Sequence, residues 1–163
     1  IAGIETQAVV RGLLADAPLL IESMFFETTL VGTPLHADGD YMDSDIPGAM
    51  VGAWFALEDI LPFTGRLAVI PKSHKLRRKS DEASAVYREF RNKHAETSAT
   101  IDADVKTNLK RRLEEGKLLH RALSESGLQI IAPMLCKGDE HFWSSDVIHR
   151  SLPPQAPGLR RKS

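Results

Sequence analysis

Apolar positions along this chain change their spacing three times, and the changes divide it into segments. Ile4 to Leu14 places Val9, Val10, Leu13 and Leu14 on one side of a helix, which Asp16-Ala17-Pro18 interrupts. Leu19 to Leu30 is rich in apolar, aromatic and Thr residues, a composition that predicts a long strand. Gly32-Thr33-Pro34 turns the chain, Leu35 to Asp38 reads as a short extended piece, and Gly39 to Gly48 as a loop rich in Asp, Gly and Ser. Ala49 to Leu57 is apolar at nearly every position, which predicts a strand covered on both faces. Turn residues over Glu58-Asp59 and Pro62 to Gly65 lead to a short strand, Leu67 to Ile70, closed by Pro71-Lys72-Ser73-His74.

From Lys75 to about Ser126 the spacing becomes helical. The segment is highly charged, nearly free of Pro and Gly, and sets Val86 and Phe90, then Val105, Leu109 and Leu113, four residues apart. After Gly127 strands return: Leu128 to Cys136, a turn at Lys137-Gly138-Asp139, His141 to Ser145, Val147 to Leu152, and a last one from Leu159. Short strands broken by one helical stretch predict a mainly β chain. The expected architecture is a double-sheet barrel of jelly-roll, cupin-like type (a double-stranded β-helix) with an N-terminal helix and a helical insertion. Residues 1–163 then form a single domain, with 75–126 an insertion or lid within it. The last strand stops at Ser163, which predicts a domain incomplete at one or both ends.

Composition narrows the partners. A net charge of -1 gives no reason to expect nucleic acid or an anionic membrane surface. No apolar run approaches the ~20 residues that span a bilayer. Cys136 is the single cysteine. It excludes an internal disulfide framework and predicts a reducing, cytoplasmic setting.

The candidate chemistry lies in His36 and Asp38. One residue apart on extended chain, their side chains point the same way. His149, from a distant strand, would complete two imidazoles and one carboxylate on one side of a metal. That set leaves three positions open and is the usual cage for non-haem Fe(II). Zinc also takes three protein ligands and a water, but no zinc-hydrolase helix signature is present. His74, His94, His120 and His141 read as structural or exposed, and Asp40, Asp43 and Asp45 as loop solvation without EF-hand spacing. Trp143 reads as packing and Cys136 as a small buried or half-buried thiol. Lys72, Lys75, Arg77, Arg78 and Lys79 read as a solvated basic run.

Three blocks, in order, resemble the phytanoyl-CoA dioxygenase family of Fe(II)/2-oxoglutarate oxygenases. The first is Pro34-Leu35-His36-Ala37-Asp38, with Ala37 where Gln is common in the family. The second runs from Val51-Gly52-Ala53-Trp54-Phe55-Ala56-Leu57-Glu58-Asp59 through Thr64-Gly65-Arg66-Leu67 to Ile70-Pro71-Lys72-Ser73-His74. The third runs from Lys137-Gly138-Asp139 through Phe142-Trp143 and Ile148-His149-Arg150-Ser151 to Arg160-Arg161-Lys162-Ser163. Lys72 and Arg150 stand where Gly is common.

The resemblance implies an oxidoreductase, a dioxygenase acting as a hydroxylase, with Fe(II) on His36, Asp38 and His149 as its catalytic centre. It implies 2-oxoglutarate as co-substrate and dioxygen as oxidant, with Trp54 as a wall of the co-substrate pocket. An arginine grips the distal carboxylate, because a fixed, always-charged, bidentate partner suits it. Arg160 and Arg161 are neighbours, so on a strand only one can face inward. Ser163 shares the face of Arg161, which makes Arg161 with Ser163 the first choice and Arg160 the second. Two other readings remain at this stage: a non-catalytic cupin-like binding or sensor protein, and a metal-dependent isomerase or hydrolase with no use for the arginine.

Overall fold

The computed structural model describes residues 3–15, 23–25, 32–40, 42, 44–46, 48–77, 82–99, 105–156, 159 and 161–163. Helix α1 occupies Ile4–Leu14, where the apolar spacing predicts it, and Ala15 ends it in the left-handed conformation at φ 57°. Its contacts differ from expectation. Ile4, Val9 and Leu13 are exposed, while Thr6 turns inward and its hydroxyl donates to Glu140 Oε1 at 2.8 Å.

Helices α2 (Glu82–Ala99) and α3 (Val105–Ser126) form the charged stretch, and they pack on each other. The α2 segment has no Gly or Pro, and Val86, Tyr87 and Phe90 fall on its buried stripe. On α3 the matching stripe is Glu115, Leu119, Ala122 and Leu123. Two ion pairs tie the helices together: Lys93 with Glu114 at 2.8 Å, and His94 Nδ1 with Glu115 Oε2 at 3.0 Å. Exposure of the first weakens it, so the apolar stripe supplies most of the adhesion.

Strand β1 (Val51–Phe55) pairs antiparallel with β3 (Glu140–Ser144), and β2 (Leu67–Val69) with β4 (His149–Ser151). Opposite residues are Gly52 and Trp143, Trp54 and His141, Val69 and His149, and Leu67 and Ser151. Side chains alternate along a strand. Gly52, Trp54, His141 and Trp143 therefore share one face, and Leu67, Val69, His149 and Ser151 share a face of the other sheet. These faces meet: Trp54, Ala56, Ile60, Leu67 and Val69 form one core, against which Trp143 packs. A second core joins the helices to the chain beside β4. It holds Ala37, Ile70, Leu76 and Ile148 together with Val86, Tyr87, Phe90, Leu119, Ala122 and Leu123.

The mainly β expectation is corrected. Helices of 11, 18 and 22 residues stand against strands of 5, 3, 5 and 3, so the described residues carry small antiparallel sheets and more helix than strand. Residues 128–136 explain part of the difference. They run alongside β2 but pair only through Val69 and Ile131, which exchange two 2.8 Å hydrogen bonds. Pro133 has no N–H to extend that ladder. The expected strand from Leu159 also makes no ladder among the described residues; the Leu57 N–H donates to the Lys162 carbonyl at 3.1 Å. Most of the strand expected at Leu19–Leu30 lies outside the described residues. No helix among them is long and apolar enough to cross a membrane.

Lys72, where a Gly is common in the resembled family, has φ 69°. That is the left-handed conformation glycine enters freely and a lysine enters at a cost of roughly 1 kcal/mol.

Candidate metal centre

His36 and His149 meet through their backbones. The His36 N–H donates to the His149 carbonyl at 3.1 Å, and the His149 N–H donates back at 2.8 Å. Directly opposed residues of an antiparallel pair project to the same side, and the two ring centroids are 4.3 Å apart. Asp38 arrives differently from expectation. Only His36 is in a β-bridge, and the chain bends into a 3-10 turn over Asp38–Asp40. That turn is held by Asp40 N–H to the Ala37 carbonyl at 3.0 Å and Gly39 N–H to the Ser145 carbonyl at 2.9 Å. It lays Asp38 Oδ1 3.6 Å from His36 Nε2 and 3.5 Å from His149 Nε2.

The ring orientations are fixed from behind. His36 Nδ1 lies 2.7 Å from the Pro34 carbonyl, and His149 Nδ1 lies 3.0 Å from the Val147 carbonyl. A carbonyl oxygen only accepts, so in each ring Nδ1 carries the hydrogen and Nε2 presents the lone pair. Burial holds the His149 pKa below the usual imidazole value, opposed by the Val147 carbonyl and the Asp38 charge. His149 is therefore neutral near pH 7, the form in which it can bind a metal. The three ligand atoms lie within 4.8 Å of one another. Convergence of two imidazole lone pairs and a carboxylate oxygen on one point fits a divalent cation.

Two residues that sequence reasoning set aside, and a third to which it gave no role, hold this arrangement. Trp143 is more than packing: its Nε1–H donates to Asp38 Oδ2 at 3.0 Å, and its ring lies 4.9 Å from that of His149. Asp40 is not loop solvation. Its side chain is buried and paired with Arg91 Nε of α2 at 2.8 Å, with the Tyr87 hydroxyl 3.4 Å away. Ser73, fully buried, accepts the Ile148 N–H at 2.7 Å and so anchors the residue before His149. All three sit in or beside the family-like blocks, and that is the signal by which they can be found. Asp45 is exposed, and Asp43 lies outside the described residues. Cys136, expected to be buried or half-buried, is exposed.

Two residues beyond His149 on the same strand face, Ser151 accepts from Arg161 Nη2 at 2.8 Å. The step along the strand is about 7 Å. Arg161 is buried, and its Cζ stands 5.1 Å from the centroid of the buried Trp54 ring. Its Nε and Nη1, and the nearby-in-sequence Ser163 Oγ, are buried with no hydrogen-bond partner among the described residues. Desolvation lowers the Arg161 pKa, yet a guanidinium stays charged. A buried cation with unused donors fits an incoming carboxylate. Arg160 lies outside the described residues.

A search of curated proteins returns no match. The phytanoyl-CoA dioxygenase (PhyH) family model matches residues 5–162. The match takes in the first two blocks, the third as far as Lys162, the convergent His36, Asp38 and His149, and the buried Arg161. This chain belongs to the phytanoyl-CoA dioxygenase family.

Proposed function

We propose that the chain is a non-haem Fe(II)/2-oxoglutarate-dependent dioxygenase that hydroxylates an unactivated C–H bond of a small organic substrate. The carrying observation is the convergence of His36 Nε2, Asp38 Oδ1 and His149 Nε2 on one point. The fold reading goes with it: the two facing sheets are taken as part of a double-stranded β-helix, the cupin-like architecture associated with this family.

His36, Asp38 and His149 would hold the iron through three atoms and leave three positions for co-substrate and oxidant. With iron bound, the centre supplies an oxidation in which dioxygen places one oxygen atom in succinate, formed with CO2 from 2-oxoglutarate, and the other in the product alcohol. Arg161 binds the distal carboxylate of 2-oxoglutarate with donors that Ser151 leaves unused, with Ser163 as a further donor and Trp54 as the wall behind the guanidinium. Ser151 holds Nη2 and so fixes the guanidinium in place. Asp38 itself argues for hydroxylation over halogenation, since related halogenases have a small residue there to admit chloride. Helix α2, from the 75–126 stretch, stands beside the centre in this scheme, where Arg91 and Tyr87 reach the turn that carries Asp38. Nucleic acid and membrane have no part in it.

The test is anaerobic loading with Fe(II) and 2-oxoglutarate, followed by oxygen and a screen of small organic substrates. Oxygen-dependent succinate release is expected, stimulated by the right substrate and abolished by Asp38→Ala with the circular dichroism spectrum unchanged. A protein that takes up neither Fe(II) nor 2-oxoglutarate in equilibrium dialysis would overturn the assignment.

A further inference from the structure

The two oxygens of Asp38 meet different surroundings. Oδ1 faces both imidazoles, at 3.6 and 3.5 Å, whereas Oδ2 is turned toward the indole of Trp143 and accepts its N–H at 3.0 Å. The indole can reach it because of what lies beneath. Trp143 is paired with Gly52 on β1, and a Cβ at Gly52 would stand 2.4 Å from the indole Cε2 and 2.7 Å from Nε1. Any side chain there would lift the ring off the strand. The other face of the problem is His149, whose ring packs 4.9 Å from the indole. Trp143 therefore touches two of the three metal-binding candidates while offering no ligand atom itself, since an indole N–H only donates.

We infer that Trp143, seated on Gly52, is the positioning residue that keeps Asp38 a one-oxygen ligand. This rests on the metal assignment above and adds what that assignment leaves open. A carboxylate can bind a metal through one oxygen or both. With two imidazoles and one carboxylate oxygen bound, a six-coordinate ion keeps three positions. Were Oδ2 to join, it would keep two, enough for a chelating 2-oxo acid and nothing more. A hydrogen bond to the ionised oxygen is stronger than one between neutral groups, and it holds Oδ2 away from the ion. It also withdraws charge from the carboxylate and fixes its rotation, the usual service of groups behind metal ligands.

Trp143→Phe removes the N–H and keeps an aromatic ring against His149. Gly52→Ala keeps the N–H and displaces the ring. Both are read by circular dichroism for fold, by anaerobic Co(II) titration for affinity, and by nitric oxide binding to the Fe(II)–2-oxoglutarate protein, followed by its electron paramagnetic resonance signal. Each variant should fold, bind Co(II) about tenfold or more weakly, and lose most of the nitric oxide signal while still binding 2-oxoglutarate. In the wild-type protein, the Trp143 indole N–H should exchange slowly with solvent, a measurement that needs no variant.

His36→Ala supplies the control for the metal assignment. Wild-type protein that binds no Co(II), or binds it equally well with His36→Ala, overturns that assignment and the inference with it. Co(II) binding that needs His36, with Trp143→Phe matching wild type in affinity and nitric oxide signal, overturns the inference alone. So does a fast-exchanging indole N–H.

Discussion

On one side of the His36–His149 bridge, the chain presents imidazoles, a carboxylate, an indole N–H and a guanidinium. On the other side, one residue along, Ala37 and Ile148 are buried among Val86, Tyr87, Phe90 and Leu119 of the helices. The two regions are separated by the thickness of one backbone. Strand alternation makes the separation: His149 and Ser151 look toward the facing sheet, and Ile148 looks toward the helices. Each region is stabilised by a different term. The helical side gains from removing apolar surface from water, which is insensitive to exact direction. The site side holds its groups by directed hydrogen bonds to Pro34, Val147, Trp143 and Ser151, and these fix orientation more than they add stability. A lesion on one side should therefore injure binding, and a lesion on the other should injure folding.

The largest effect that would test this division falls on Arg161. Arg161→Ala should raise the 2-oxoglutarate requirement by a factor equivalent to about 2–5 kcal/mol, because a buried charge pair is broken. Arg160→Ala should change it little. Co-substrate titration monitored by succinate separates the two, and the reverse pattern would move the assignment to Arg160. Thermal stability should hardly change in either variant.

Leu119→Ala is the counterpart on the helical side. Leu119 is fully buried, so its truncation should cost about 2–5 kcal/mol of stability in urea unfolding. Co(II) affinity measured well below the unfolding midpoint should stay near wild type. A variant that kept its stability but lost the metal would break the proposed separation of roles.

A smaller effect comes from pH. Burial keeps His149 below the usual imidazole value of 6.5, and burial does the same to His141. Below about pH 6.5 the unfolded chain takes up protons on these residues before the native one does. The native state of the metal-free protein should then lose stability as pH falls from that value toward the lowered one, and keep the full contribution above it. Urea midpoints across this range should show the decline, and His149→Gln should make it shallower, leaving the part due to His141. A midpoint that rises with acid would place His149 outside its buried, neutral state.

Much of this was legible before folding. The positions of α1, α2 and α3 follow from helical spacing, and β1 follows from the apolar run around Trp54. These elements need only local pattern and burial to specify them. The residues of the centre were legible too, because His36-x-Asp38 and His149 lie in recognisable blocks.

Tertiary structure alone decided how those residues meet. His36 and Asp38 do not share a regular strand: a reciprocal backbone pair brings His36 to His149, and a 3-10 turn swings Asp38 under both. That turn is pinned from a helix more than 40 residues away in sequence, by Arg91 and Tyr87 on Asp40. The seat of Trp143 on Gly52 is likewise a cross-strand fact, set by register between β1 and β3. Sequence spacing carries periods of two and 3.6, so it can say which side of its own element a residue occupies. It carries no term for the partner that a different element brings there. Asp40 and Trp143 therefore read as solvent and packing in one dimension, and as the supports of Asp38 in three.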